Sequence, residues 1–113
     1  IYTNKSYFES ILLNLVTNSL KYNDISRKRK ISISSKIVGK TTIIQFKDNG
    51  IGIDMIRNKD KIFGLYQRFH DYADSKGLGL YLVKSQVESM GGIITVESEV
   101  GVGTSFKIIF KNN

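Results

Sequence analysis

Asn14, Asn18 and Lys21 lie four and then three residues apart in the stretch "NLVTNSLKY" of a 113-residue chain, the spacing that stacks side chains on one helix face. A carboxamide oxygen is a hard, neutral donor. It can hold Mg²⁺ without repelling the phosphates the ion also bridges, and a neighbouring ammonium can neutralise terminal phosphate charge. An ordinary polar flank accounts for the same residues. In "DNGIGID" (48–54), Asp48 is followed by glycines that permit positive φ. A carboxylate fixed there can accept a hydrogen bond from an exocyclic amine, while Gly50 and Gly52 let a flat base approach the backbone. Asp-Asn-Gly is also a common turn. In "KGLGL" (76–80), Gly77 and Gly79 precede a helical pattern whose first amides would face an anion. Close packing of small residues is the alternative.

Regular elements must hold these groups. Apolar positions at 8, 11, 12, 15 and 16 have helical spacing and predict a helix over residues 5–22, with Asn4 or Ser6 as its cap. Residues 31–37 alternate as a strand, Gly39 and Lys40 form a tight turn, and residues 42–47 return as the hairpin partner. A short helix from Met55 to about Asp60 follows. Residues 64–76 have no period and read as a long mobile loop, a length that is uncommon unless functional. A further helix, stopped by Gly91 and Gly92, leads to strands at about 93–98 and 104–110 joined by "EVGVG". Helix, hairpin, loop, helix, hairpin is an α+β order, with helices layered on one face of a sheet.

A chain of this length is expected to form one domain over residues 1–113. It contains no cysteine and one histidine, His70, so it has neither a disulfide framework nor the ligands for a zinc site. No apolar run approaches the length of a membrane span and no export leader is visible, so a cytosolic setting is expected, with no membrane contact by this segment. The net charge of +7 suits an anionic partner without choosing one. Arg27 to Lys30, the densest basic run, reads as a solvated turn. No aromatic residues interleave with it as single-strand nucleic-acid binders require, and no nucleic acid is expected.

In order along the chain, "NLVTNSLKY", "DNGIGI", "IFGLYQRF", "GLGLYLVK" and "GVGTSF" closely resemble the boxes of the ATP-binding catalytic domain of sensor histidine kinases. That superfamily also includes DNA gyrase, ninety-kilodalton heat-shock chaperones and mismatch-repair ATPases. The resemblance runs from about Lys5 to Phe110. It implies a two-layer α+β sandwich: a mixed, mostly antiparallel sheet covered on one face by helices, with a long ATP lid. It also implies that Asn18 binds Mg²⁺ with Asn14 as its partner, and that Lys21 and Tyr22 contact phosphate and nucleotide. Asp48 would bind the adenine amine, with Gly50, Gly52, Ile53 and Thr104 around the base. Phe63 and Phe69 match the lid's phenylalanine box, and Arg68 would reach the terminal phosphate. Gly77, Leu78 and Gly79 match the closing glycine box. The family often has a third glycine where Ser75 stands, and Lys76 after it could add a phosphate contact. The family's strand and helix before the asparagine helix are not seen here, which suggests an excised piece with one sheet edge exposed.

Hydrolases of the superfamily resemble one another in carrying Glu where this chain has Asn14. An amide cannot take a proton from water, and its presence should lower hydrolysis by about 10²- to 10⁴-fold. Glu9, half a turn round the helix from Asn18, cannot substitute. The expectation is a phosphotransferase that keeps ATP from water and is inactive in transfer without its acceptor. The resemblance implies a histidine on a separate dimerisation domain as nucleophile and a response regulator downstream. His70, within the presumed lid, is not that acceptor. An anti-sigma-type serine kinase or an inactive ATP-binding scaffold are the rival readings.

Overall fold

A computed structural model describes residues 5–58, 61–64 and 79–111. The elements run α1 (Lys5–Lys21), β1 (Ile31–Val38), β2 (Thr41–Asp48), α2 (Met55–Asn58), α3 (Gly79–Ser89), β3 (Ile93–Glu99) and β4 (Gly103–Lys111). The strands form one sheet in the order β1-β2-β4-β3. The sheet, expected to be mixed and mostly antiparallel, is antiparallel in all three pairings among the described strands.

Local chemistry sets the boundaries. Ser6, one of two expected caps, lies inside α1, and the other, Asn4, is outside the described residues. The β1–β2 hairpin closes on Gly39 and Lys40, with Gly39 at φ +60, as primed two-residue turns require of their first position. Asp54 caps α2: its Oδ1 accepts from the Ile56 and Arg57 amides at 3.0 and 3.3 Å. At the end of α3, Gly91 adopts φ +77 and the Gly92 amide bonds back to the Val87 carbonyl at 2.9 Å. That six-to-one bond satisfies a carbonyl the ending helix would orphan. The predicted helix over 55–60 is a single turn in the described part, and residues 65–76 of the predicted loop are outside the described residues.

Because side chains alternate across a strand, each strand contributes to two faces. The helix face of β2 presents Thr42, Ile44 and Phe46, and that of β4 presents Phe106, Ile108 and Phe110, all buried. Against them pack Ile11 and Leu15 of α1 and Leu80, Val83 and Val87 of α3. Each large side chain fully removed from water contributes about 1.5–3 kcal/mol, so this seam holds the two layers together. On the other face, Lys47 is exposed and Gln45 and Lys107 are half-buried, with none of the described helices over them. Among the described strands β1 is an outer one, and every residue of it after Ile31 is exposed, including Ile33 and Ile37.

Candidate functional site

The apolar helix face ends in a polar row. In register, Asp48 of β2 opposes Thr104 of β4, which opposes Ser98 of β3. The next row inward is Phe46, Phe106 and Val96. Where the core stops, three polar side chains therefore cross the sheet on the side facing α1.

Each is held. The Ser19 hydroxyl, on the buried side of α1, donates to Asp48 Oδ2 at 2.7 Å, and the Gly50 amide donates to Oδ1 at 2.9 Å. The Asp48 carboxylate is thus fixed in rotation from both oxygens, with lone pairs to spare for another donor. Ser98 Oγ accepts from the Ile53 amide at 2.8 Å, donates to the Gly103 carbonyl at 2.9 Å, and lies 2.8 Å from Thr104 Oγ1.

Glycines bring the loops close. A Cβ at Gly50 would overlap the Tyr22 carbonyl, to which the neighbouring Ile51 amide donates at 2.9 Å. Gly52, at φ +78, leaves no space before the Glu99 carbonyl, and Gly103, at φ +144, none before the Asp48 carbonyl. Only glycine fits Gly52 and Gly103 on both counts, conformation and space. The end of α1, the turn after β2 and the β3–β4 turn are therefore in backbone contact around Asp48.

Asn14 and Asn18 are half-buried on α1, one turn apart, and Tyr22 is buried just beyond its end, while Lys21 is exposed in the last turn. A Cβ built on Gly79, the first residue of α3, would sit 3.7 Å from Asn14 Oδ1, so the two helices meet at this amide. The Asn14 nitrogen makes one long hydrogen bond, 3.5 Å to Ser10 Oγ. Among the described residues no group of three or more carboxylates, histidines or cysteines could cage a metal. A divalent ion here would be held by amide oxygen together with ligand phosphates, which is how Mg²⁺ is commonly bound, and the donor set fits. Phe63, from the expected lid box, packs edge-on against Phe106 with centroids 6.3 Å apart, beneath the Lys84 ammonium at 5.7 Å. Phe69, Arg68, His70, Ser75, Lys76, Gly77 and Leu78 are outside the described residues.

Three contributors escaped the sequence reading. Ser19 had a signal: it continues the buried series Ile11, Leu15 at four-residue steps. Ser98 likewise continues the inward alternation of Ile94 and Val96. Arg27 overturns its expectation. It is half-buried and donates to the Asn49 and Gly50 carbonyls at 2.9 and 2.7 Å and to the Gly101 carbonyl, whereas Lys28, Arg29 and Lys30 are exposed as expected. A cleft of about 720 Å³ runs between Lys30 and Lys47 on one side and Glu97 and Glu99 on the other, and Asp48, Ser98 and Thr104 also border it. By strand alternation the Lys47, Glu97 and Glu99 side chains point away from the Ser19–Asp48 bond. Among the described residues no helix is long and apolar enough to cross a membrane.

Comparison with known proteins gives a consistent picture. Residues 3–113 match the family model of histidine kinase-, DNA gyrase B- and HSP90-like ATPases. The signal transduction histidine-protein kinase ArlS of Staphylococcus haemolyticus is 36% identical over 115 residues, covering 96% of this chain and 24% of that protein. Among solved structures, the mycobacterial sensor histidine kinase MprB superposes with a TM-score of 0.83 at 20% identity, over 98% of this chain and 76% of that one. The Acinetobacter baumannii histidine kinase AdeS gives 0.78 at 25% identity, over all of this chain and 49% of that one. The chain thus spans about a quarter of the length of the curated relative it matches.

Proposed function

The chain belongs to the family of histidine kinase-, DNA gyrase B- and HSP90-like ATPases, and from that premise we propose that it is the ATP-binding catalytic domain of a two-component sensor histidine kinase. In this reading it holds ATP and offers the γ-phosphate to a histidine on a separate dimerisation domain of the same protein, from which the phosphoryl group passes to a response regulator. In this reading the domain faces the cytoplasm, with or without a membrane anchor elsewhere in the parent protein.

The observation that carries the reading is the Asp48 carboxylate, fixed at 2.7 and 2.9 Å by Ser19 and Gly50 beside the end of the asparagine helix. A pre-oriented carboxylate with free lone pairs accepts the adenine 6-amino group. Gly50, Gly52, Ile53 and Thr104 form the close-packed surround of the base. Along α1, one and five residues before Ser19, Asn18 and Asn14 would hold Mg²⁺ and the phosphates, with Lys21 and Tyr22 at the helix end, and Gly79 brings the start of α3 to Asn14. Arg68, Lys76, Gly77 and Leu78 belong to the same proposed site by sequence. Bound Mg²⁺ would neutralise charge on the phosphates. The imidazole nitrogen attacks the γ-phosphorus in line, the bond to the bridging oxygen breaks, ADP leaves, and the imidazole proton passes to solvent.

Asn14 decides between transfer and hydrolysis. An amide cannot deprotonate water, so ATP waits for an external nucleophile. The named relatives are histidine kinases, which favours the histidine over the serine of an anti-sigma-type kinase, and an Asp48 carboxylate held at both oxygens speaks against a scaffold that has lost its ligand. Calorimetry with MgATP tests the reading. Asp48→Ala removes a hydrogen bond to a charged acceptor and should weaken binding by about tenfold or more, and Asn18→Ala should weaken it only when Mg²⁺ is present. Unchanged affinity in both variants would remove the site assignment.

A further inference from the structure

Beyond the residues that would touch ATP, the structure points to Arg27 as a positioning residue, and we propose that it sets the selectivity for adenine over guanine by locking the turn that orients Asp48. The inference rests on the nucleotide reading above.

One guanidinium joins three segments distant in sequence. Nη2 donates to the carbonyls of Asn49 and Gly50 in the turn after β2, and Nη1 donates to the Gly101 carbonyl in the β3–β4 turn. Asp24 Oδ2, in the loop after α1, pairs with Nη2 at 3.2 Å. That loop is built to present the side chain: the Asp24 carboxylate also accepts from the Ser26 amide and hydroxyl at 2.9 and 2.6 Å, and the Arg27 amide bonds to the Asp24 carbonyl at 3.2 Å. Arg27 Nε is buried with no partner, so the group is held by its fork alone. Five donors in a rigid plane can bridge several carbonyls at once, which a lysine ammonium on a flexible stem does not reproduce.

The consequence reaches the base through Gly50. Its carbonyl is held by Arg27 and its amide donates to Asp48 Oδ1, so the clamp and the orientation of Asp48 share one residue. Adenine presents an amine to that carboxylate. Guanine presents a carbonyl oxygen, which a fixed carboxylate repels and a freely rotating one can avoid. Loosening the turn should therefore erode discrimination between the bases more than it erodes binding through the phosphates.

The experiment is calorimetric titration of the chain with MgATP and with MgGTP, for wild type, Arg27→Ala, Arg27→Lys and Asp48→Ala, alongside urea unfolding of each. The ratio of the two dissociation constants should narrow by about tenfold in Arg27→Ala, the scale of one charge-assisted hydrogen bond. Arg27→Lys should narrow it similarly although charge is retained, and it stands in if the alanine variant does not fold. An unchanged ratio with a lowered urea midpoint would make Arg27 merely structural and overturn the proposal. Full rescue by lysine would overturn it too, by showing that charge suffices. Failure of the underlying site is separate: it would appear as wild-type ATP affinity in Asp48→Ala, whereas lost affinity there with an unmoved ratio in both Arg27 variants refutes only the present inference.

Discussion

Lys47 and Asp48 are neighbours on β2, yet the pleat sends them to opposite faces of one sheet. On the open face, Lys47 stands exposed and Lys107 half-buried, and neither makes a salt bridge among the described residues. On the helix face, Asp48 is held at both carboxylate oxygens and Thr104 and Ser98 are bonded to each other. Charge on the open face is solvated and exchangeable. Polar groups on the helix face are fixed because they border a core, where an unmade hydrogen bond is expensive. The rigidity of the candidate site is thus borrowed from Phe46 and Phe106 in the row directly beneath.

The sharpest way to break that contrast is to truncate adjacent residues. Phe46 is 1% exposed, and Phe46→Ala should destabilise the chain by about 3–5 kcal/mol, a large part of a small domain's total. Lys47→Ala, one residue along, should stay within about 0.5 kcal/mol. Urea unfolding measures both. Comparable losses would mean that the two faces are not energetically distinct.

A smaller effect concerns acid. The Ser26 hydroxyl and amide, with a further contribution from Arg27, hold the Asp24 carboxyl below its ordinary value. A depressed carboxylate stabilises the fold fully above its unfolded value and loses that contribution as pH falls through the folded one. The stability gap between wild type and Asp24→Asn should thus be constant near neutrality and close below about pH 4. A gap that widens on acidification would contradict the assignment.

How much of this was readable in advance follows the range of each interaction. The hairpin expected over 31–37 and 42–47 spans Ile31–Val38 and Thr41–Asp48, because alternation and a Gly turn are local signals. Asp48 was singled out from its own neighbours, and it does end its strand. The role of Arg27 is not legible locally because its acceptors lie 22, 23 and 74 residues away, and nothing in a basic run says which cation will bridge two turns. Ser19 and Ser98 were legible in principle, since each continues a buried series, but a lone serine on an apolar stripe names no partner until the fold supplies one.

The central claim is that the helix face, at the row of Asp48, Thr104 and Ser98, binds the nucleotide. Titrating MgATP into the isotope-labelled chain and following amide resonances by NMR tests it directly. The account predicts the largest shifts at Ser19, Asp48, Gly50 and Thr104 and at the side-chain amides of Asn14 and Asn18. Shifts concentrated at Ser32, Gln45 and Glu97 on the open face, with the Asp48 row unmoved, would contradict it.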